Sequence, residues 1–171
     1  MRRLHRHALS GHSHRPQLLL SLLGLDVELV DVDLLGGEHK AAAFRQLNPF
    51  GQVPVLVEDD GTVVADSNAI LVYLAERYDD AKGFYPQDAA TRGKIQRWLS
   101  VAANEVARGP AAARLVTVFG ASLDHDDAKA RARELLAVIE AALAKSDWLA
   151  ATEGPSLADI AVYTYVAHAP E

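Results

Sequence analysis

The spacing of hydrophobic and polar positions changes character near the middle of this 171-residue chain. In the first half, short apolar segments alternate between the period of two that is typical of strands and the helical period. These segments predict the order β-α-β-α-β-β-α, which favours one four-stranded mixed sheet with helices on its faces. The predicted segments are residues 3–7, 17–24, 26–33, 37–47, 53–59, 62–66 and 67–78.

The segment RLHRH (3–7) is the least regular of the predicted strands. Most of its side chains are basic or titratable, whereas strands covered on both faces are normally apolar. We retain it as a strand mainly because the helix that follows needs one before it. The cations near this segment are expected to form a solvated surface patch. They are Arg2, Arg3, Arg6 and Arg15.

Beyond the stretch DDAKGFYPQD (79–88), every periodic segment predicts a helix. The first of these helices spans 88–108, and its apolar stripe has spacings of three, four and seven residues. Further helices are predicted over 111–119, 126–145 and 156–168, the last opened by a capping box of Ser156 and Asp159. The stripe of the first helix consists of Ile95, Trp98, Leu99, Ala102 and Val106.

We therefore predict two domains of different class. Residues 1–78 form an α/β domain, residues 79–87 a linker, and residues 88–171 an all-helical domain. Trp98 and Tyr163 have apolar neighbours at helical spacing, so we expect both to pack in the helical core.

Composition narrows the possible environments of the chain. There are no cysteines, which excludes a disulfide scaffold, thiolate zinc sites and a CxxC redox pair, and fits a cytoplasmic protein. A net charge of −6 provides no basic field for nucleic acid or an anionic membrane. No apolar run approaches the roughly 20 residues of a membrane span, and the amino terminus lacks the apolar core of a signal peptide.

The stretch HALSGHSHRP (7–16) allows three kinds of site. Four imidazoles, His5, His7, His12 and His14, suggest a metal, but His-x-His is a weak motif and the basic neighbours oppose a dication. Ser10 and His12 suggest a nucleophile with its base, but no orienting third group lies in the stretch. The third possibility is a polar loop that receives an anion. We expect no metal.

The segment NPFGQVPVLVEDDGTVVADSNAILVYLAERY (48–78) carries a Gln-Val-Pro turn, a hairpin, and an acidic-Ser pair that opens a helix. Together with LSGHSHR, GEHK and PSLADIAVY, it resembles the glutathione S-transferases, in particular bacterial theta-like or zeta-like members. The resemblance implies a thioredoxin-like domain that binds glutathione, a helical domain that shapes the co-substrate pocket, and a homodimer. Family members continue beyond the capped helix, so this chain is expected to be short at its carboxyl terminus.

The pair Asp66–Ser67 lies where a predicted strand ends and a helix begins. Backbone N–H groups there lack helical partners, and the helix dipole favours an anion. Ser67 can donate to a carboxylate while Asp66 accepts from an ammonium group, which suits the γ-glutamyl end of glutathione. Taken alone, such a pair is usually only a helix cap.

The resemblance assigns further glutathione contacts around the Gln-Val-Pro turn. It implies a cis proline at Pro54 with the Val53 backbone facing the ligand, although trans X-Pro bonds are far commoner. Gln52 would contact the ligand through its amide. His39 and Lys40 match the position that reaches the glycyl carboxylate, with a solvated helix start as the alternative.

The loop after the first strand is where this family activates the glutathione sulfur, and Ser10 matches the serine of zeta-like members. A hydroxyl that donates to sulfur favours the thiolate, and a helix beginning near Ser13 would assist it. Ser13 and His12 compete for this role, with helix capping the more expected task of Ser13. Pro16 stands where the family usually has an aliphatic residue; it costs little in a first helical turn but more one position deeper.

The resemblance thus implies a glutathione transferase that activates glutathione, its co-substrate, for detoxifying attack on a small, hydrophobic electrophile, with no permanently bound cofactor. The alternatives are a non-catalytic binder of glutathione or hydrophobic ligands, and a dimeric structural module of the same fold. The electrophile's pocket is expected on the helix 88–108, the next apolar run and Tyr163. Isomerase, dehalogenase, peroxidase and conjugation chemistries share this scaffold, so the fold does not choose among them.

Overall fold

The computed structural model of the protein describes residues 1–81 and 83–170. The chain divides into two units, Met1–Asp80 and Ala81–Glu171. The division falls inside the stretch 79–87 that the sequence predicts to be a linker.

The amino-terminal unit is built around a four-stranded sheet with strand order β2-β1-β3-β4. Strand β1 is parallel to β2 and antiparallel to β3, and β3 is antiparallel to β4. The predicted order of elements is confirmed, including the irregular first strand. The elements are β1 (Arg3–Arg6), α1 (Gly11–Leu22), β2 (Glu28–Asp31), a 3-10 turn (Glu38–Lys40), α2 (Ala42–Leu47), β3 (Val55–Val57), β4 (Val63–Ala65) and α3 (Ser67–Tyr78).

Strand β3 is covered on both faces, and its alternation divides the core in two. Val55 and Val57 share one buried cluster with Val32 and with Phe44 of α2. Leu56 points to the opposite face because successive side chains of a strand alternate, and α1 and α3 pack against each other in this unit. The sheet therefore lies between α2 and the α1–α3 pair.

Strand β1 tolerates its charged residues because its apolar and charged positions are separated. Leu4 is fully buried, while Arg6 forms an ion pair with Asp31 at 3.1 Å. Just before the strand, Arg2 is paired with Glu58 at 3.2 Å. The charges are thus matched by carboxylates on neighbouring segments rather than forced into the core.

Two predicted helices have different limits in the structure. Helix α1 begins at Gly11, earlier than the predicted start near Ser13, and Pro16 is its sixth residue. A proline in the first turn would be harmless, but Pro16 lies beyond that turn. Because it has no N–H, the helical hydrogen bond to the carbonyl of His12 is missing. The predicted helix 37–47 is divided into the 3-10 turn and α2, because Ala41 between them is extended.

The carboxyl-terminal unit is helical, as predicted. The predicted helix 88–108 is interrupted at Asn104, and every residue of its predicted apolar stripe is buried. Trp98 is 3 % exposed and donates from Nε1 to the carbonyl of Leu149 at 2.7 Å, which confirms its core role. The elements are α4 (Ala89–Ala103), α5 (Glu105–Arg108), α6 (Pro110–Phe119), α7 (His125–Leu143) and α8 (Leu157–Ala167).

Helix α8 confirms one prediction and corrects another. Ser156 and Asp159 form the predicted capping box. Tyr163, however, is 56 % exposed, so its predicted core packing is wrong. Its neighbours Val162 and Thr164 are both buried, so Tyr163 lies on a narrow exposed strip of a largely buried helix. No helix in the described part of the chain combines the length and apolar character needed to cross a bilayer.

Candidate active site

Strand register brings the predicted site segments to one end of the sheet. His5 near the end of β1 pairs with Val55, the first residue of β3, and Val55 also pairs with Ala65, the last residue of β4. The end of β1, the start of β3 and the end of β4 therefore coincide. We call this the site end of the sheet.

Three of the predicted binding segments adjoin the site end. The loop after β1 contains Ser10, the turn before β3 contains Val53 and Pro54, and the pair Asp66–Ser67 follows β4 directly. Strand pairing alone thus brings together residues as far apart in the chain as Ser10 and Ser67. A ligand site requires these segments to lie close together. Helix caps with no shared ligand would not.

The helix-capping role that the sequence suggests for Ser13 belongs to Ser10, so that expectation is wrong. Ser10, not Ser13, caps α1: its Oγ accepts a hydrogen bond from the Ser13 backbone N–H at 3.2 Å. Ser13 is 1 % exposed, and its Oγ accepts from the His7 backbone N–H at 3.3 Å. Because a hydroxyl has one proton and two lone pairs, half-buried Ser10 caps the helix and still has its proton to donate.

Asp66 caps α3 in an unusual backbone conformation. Its Oδ1 accepts from the backbone N–H groups of Asn68 at 2.9 Å and Ala69 at 3.0 Å. Its φ is 79°, in the left-handed region that non-glycine residues seldom adopt and that clusters at functional sites. The carboxylate is exposed, and Oδ2 takes no part in the capping. A helix cap and an outward-facing anionic oxygen thus coexist in one side chain.

A buried arginine joins the two helix starts. Arg15 is 1 % exposed, and its Nη1 donates to Ser67 Oγ at 3.1 Å. The same nitrogen lies 3.0 Å from His12 Nδ1. The expectation that Arg15 belongs to a solvated patch is wrong, because this side chain lies inside the unit between α1 and α3. The sequence pattern gives no sign of this contact, because Ser67 is 52 positions away from Arg15.

His12 is held in its neutral form by its surroundings. Burial, followed by the positive charge of Arg15, lowers the pKa of His12 to about 4, while Asp66 acts weakly in the opposite sense. The imidazole is therefore uncharged at neutral pH. It lies close enough to both Arg15 and Asp66 to sense their charges, which places it at the site end.

The Gln-Val-Pro turn has the predicted geometry. The Val53–Pro54 peptide bond is cis. Pro54 is buried, Val53 is half-buried and Gln52 is exposed. Asn48 Nδ2 donates to the Gln52 carbonyl at 2.8 Å and so holds the turn from the inside.

The segment that carries His39 and Lys40 is tied to the same turn. Lys40 Nζ donates to the carbonyl of Gly51 at 2.8 Å and lies 3.3 Å from that of Phe50. Gly51 has a φ of 59°, and a Cβ there would come within 2.5 Å of the His39 carbonyl. His39 Nδ1 is buried and makes no hydrogen bond with the described residues. The segment thus sits against the turn with one imidazole nitrogen unsatisfied.

The histidines near the amino terminus do not converge on a metal. Within residues 1–81 and 83–170, no group of three or more His, Cys, Asp or Glu side chains could hold an ion. His5 instead packs edge-on against Phe44, with the ring centroids 6.2 Å apart.

The helical unit contains a groove of about 350 Å³ between α4–α5 and α7. Its lining combines apolar and charged side chains. The predicted co-substrate position on 88–108 stays a prediction. The lining residues are Arg97, Trp98, Val101, Asn104, Glu105, Arg108, Arg131, Glu134, Leu135 and Val138.

Comparison with known proteins agrees with this geometry. The family model described as glutathione S-transferase, N-terminal domain, matches residues 9–77. Glutathione S-transferase F10 of Arabidopsis thaliana is 33 % identical over 161 residues, which cover 90 % of this chain and 74 % of the relative.

Solved structures give the same picture over nearly the whole chain. A glutathione S-transferase from Pseudomonas fluorescens is 32 % identical, and one from Xanthobacter autotrophicus is 31 % identical. Each covers 99 % of this chain with a TM-score of 0.90, and the matches cover 84 % and 83 % of the two neighbours.

The mixed sheet with its cis-proline turn, followed by a helical unit, defines the class of proteins with a thioredoxin-like amino-terminal domain and an all-α domain after it. Within that class the chain belongs to the glutathione S-transferase family. It is a glutathione transferase, so the predictions of family, fold and enzyme class are confirmed.

Proposed function

We propose that this enzyme binds glutathione along the site end of the sheet and stabilises its thiolate with the Ser10 hydroxyl. The thiolate then attacks a small, mainly hydrophobic electrophile. The observation that carries the proposal is the strand register, which places Ser10, Val53 and Asp66–Ser67 around one end of the sheet. The attacking atom belongs to the substrate, and the protein supplies hydrogen bonds and orientation.

The γ-glutamyl end of glutathione would occupy the start of α3. Its carboxylate can accept from Ser67, whose oxygen already accepts from Arg15 and whose proton is therefore directed elsewhere. Its ammonium group can donate to Asp66 Oδ2, the oxygen that the cap does not use. The helix dipole supports the carboxylate at this end.

The rest of the tripeptide would follow the cis-proline turn. Val53 offers backbone groups for strand-like pairing, which recognises a peptide independently of its side chains. Gln52 is exposed beside it and can contribute its amide. Two of the three Lys40 ammonium protons are donated to the loop carbonyls, so the third can be donated to the glycyl carboxylate. His39 lies beside it.

At the sulfur, Ser10 is a better donor than Ser13 because Ser13 is buried and Ser10 is not. A hydroxyl that donates to sulfur stabilises only the charged form and so lowers the thiol pKa. The dipole of α1, which begins at Gly11, acts in the same direction. His12 lies on the same helical turn.

We also propose that the protein is a cytoplasmic homodimer that needs no permanently bound cofactor. Light scattering on the purified protein tests the assembly: a mass near that of one chain would contradict the dimer. No observation favours a non-catalytic binder or a purely structural module over the transferase.

The test is a pH titration of thiolate absorbance for glutathione bound to the wild-type protein and to Ser10→Ala. We expect the bound thiol pKa to lie about two units below that of free glutathione and to rise by most of that amount in the variant. Turnover of an activated aryl halide should then fall about 100-fold, while glutathione affinity changes far less.

Ser10→Thr is the matched control, because threonine keeps both the hydroxyl and the helix cap. It should retain most of the pKa shift. Clear binding of glutathione with an unshifted thiol pKa would contradict the proposal and favour a binder. Circular dichroism separates loss of the hydroxyl from loss of the cap.

A further inference from the structure

We propose that His12 is a second hydrogen-bond donor to the glutathione sulfur, acting as a neutral imidazole that carries its proton on Nε2. In this arrangement Arg15 is a positioning residue that fixes the tautomer of His12. The inference rests on the proposed function, because it needs glutathione at the site end of the sheet. The juxtaposition of Arg15 with both His12 and Ser67 carries it.

The tautomer follows from the chemistry of the two partners. Arg15 Nη1 lies 3.0 Å from His12 Nδ1. Guanidinium nitrogens donate and never accept, so His12 Nδ1 must present its lone pair. A neutral imidazole has one N–H, which is then on Nε2. Arg15 therefore fixes the tautomer of His12, with the ring proton on Nε2, where it can be donated.

The same contact excludes His12 as the base that removes the thiol proton. One ring nitrogen is occupied by Arg15 and the other already bears a proton, so no lone pair is available to accept another. Protonation would also bring a second cation against the buried guanidinium. The charged groups that act on the ring are Arg15 on α1 and Asp66 at the start of α3, and the low His12 pKa reflects burial first and Arg15 second.

His12 lies at the start of α1, beside the loop that is proposed to hold the thiolate. His12 is the second residue of α1, two positions after the Ser10 cap, and its ring is partly rather than fully buried. Arg15 Nη1 also donates to Ser67 Oγ, the group proposed to hold the γ-glutamyl carboxylate. One buried cation thus sets the orientation of a sulfur donor and of a carboxylate donor at the same time.

The first test uses the free protein and needs neither glutathione nor turnover. Long-range ¹⁵N–¹H NMR correlations of the histidine rings report which nitrogen is protonated. We expect a protonated Nε2 and an unprotonated Nδ1 for His12 from pH 8 down to about 5, below the usual histidine range. A proton on Nδ1, or titration of the ring near pH 6.5, would overturn the inference.

The second test measures the pKa of bound glutathione in two His12 variants. In His12→Phe the ring volume stays but the donor is lost, so the bound thiol pKa should rise by about one unit with less than threefold change in glutathione affinity. In His12→Gln the amide can accept from Arg15 and donate to sulfur, so most of the shift should be retained. His14→Phe, the same change two residues further along α1, is the control and should leave the thiol pKa unchanged.

The outcomes separate this inference from the proposed function. If wild-type protein does not lower the thiol pKa, the proposed function fails whatever the NMR shows. If wild type lowers it and His12→Phe lowers it equally, the sulfur-donor role of His12 fails while Ser10 stands. Should His12→Phe not fold, His12→Ala with His12→Gln as its rescue gives the same comparison.

Discussion

An arginine lies near each end of the sheet in the amino-terminal unit, but the groups that face it differ in kind. At the end opposite the site, Arg2 is paired with the buried carboxylate of Glu58 at 3.2 Å. The other carboxylate oxygen of Glu58 accepts from the Tyr78 hydroxyl at 3.0 Å, and Arg2 lies 4.6 Å from the centre of the Tyr78 ring. Here both oxygens of the buried anion are used within the protein.

At the site end, Arg15 donates to neutral groups, His12 and Ser67. The groups around it keep hydrogen-bonding capacity in reserve: the proton of Ser10 and the second oxygen of Asp66 are not used by the helix caps. The difference teaches how to tell a structural cluster from a binding cluster in this fold. The structural one satisfies its members internally, and the proposed binding one keeps donors and acceptors that its helix caps do not use.

The largest effect should come from breaking the structural end. Arg2→Met leaves Glu58 buried without its cation, and removing one partner of a buried pair costs about 3 kcal/mol of unfolding free energy. Urea denaturation measures the loss. The folded fraction should bind glutathione with unchanged affinity, because Arg2 lies at the far end of the sheet.

Arg6→Met is the matched control at the other end of the same strand. Its partner Asp31 is 67 % exposed at the side chain, so the cost should be below about 1 kcal/mol. If the two variants lost equal amounts of unfolding free energy, the burial of the Arg2–Glu58 pair would have no effect on its strength. That result would contradict the contrast between the two ends of the sheet.

The next effect concerns the reserved oxygen of Asp66. Asp66→Asn keeps the capping oxygen and tolerates a positive φ, but it removes the negative charge. We expect glutathione affinity to fall about tenfold, since a hydrogen bond between charged groups is lost, with little change in thermal stability.

A glutathione analogue without the α-amino group provides the internal control for that prediction. It should bind the wild-type protein and Asp66→Asn equally, because neither complex contains the ammonium–carboxylate pair. An equal tenfold loss for the analogue would instead indicate that the substitution disturbs the start of α3. Calorimetric titration of both ligands distinguishes these results.

The fold was readable from the sequence because its signals are local. Short runs of apolar, largely β-branched residues define β3 and β4, the sequence Asp59-Asp60-Gly61 turns the hairpin, and Ser156 opens α8 through its own capping box. The cis-proline turn and the Asp66–Ser67 pair were readable for another reason, namely their resemblance to a known family. Each of these features depends on residues that are close together in the chain.

The features that were mispredicted depend on distant contacts. The first turn of α1 has no apolar stripe, so periodicity places its start too late and hides the cap at Ser10. The burial of Arg15 depends on Ser67, which is 52 positions away. Tyr163 shows the same limit: spacing defines the positions around a helix, but the packing of its neighbours decides which side is buried.

The smallest effect tests the cost of the neutral histidine at the site end. Because the His12 pKa in the folded protein is about 4 and its ordinary value is 6.5, the unfolded chain binds more protons between these two pH values. Stability is therefore lost as the pH falls from 6.5 towards 4, and His12→Gln removes this contribution. Between pH 7 and pH 4.5 the full shift would make the wild type lose about 2.5 kcal/mol more unfolding free energy than His12→Gln, and because the ring is partly exposed, solvent screening should reduce this difference to about 1 kcal/mol. The lowered pKa of His5 affects both proteins alike and cancels in the difference.

His125→Gln, in the other unit, controls for the loss of a histidine. Equal acid sensitivity of wild type and His12→Gln would mean that His12 titrates normally and that Arg15 does not hold it neutral.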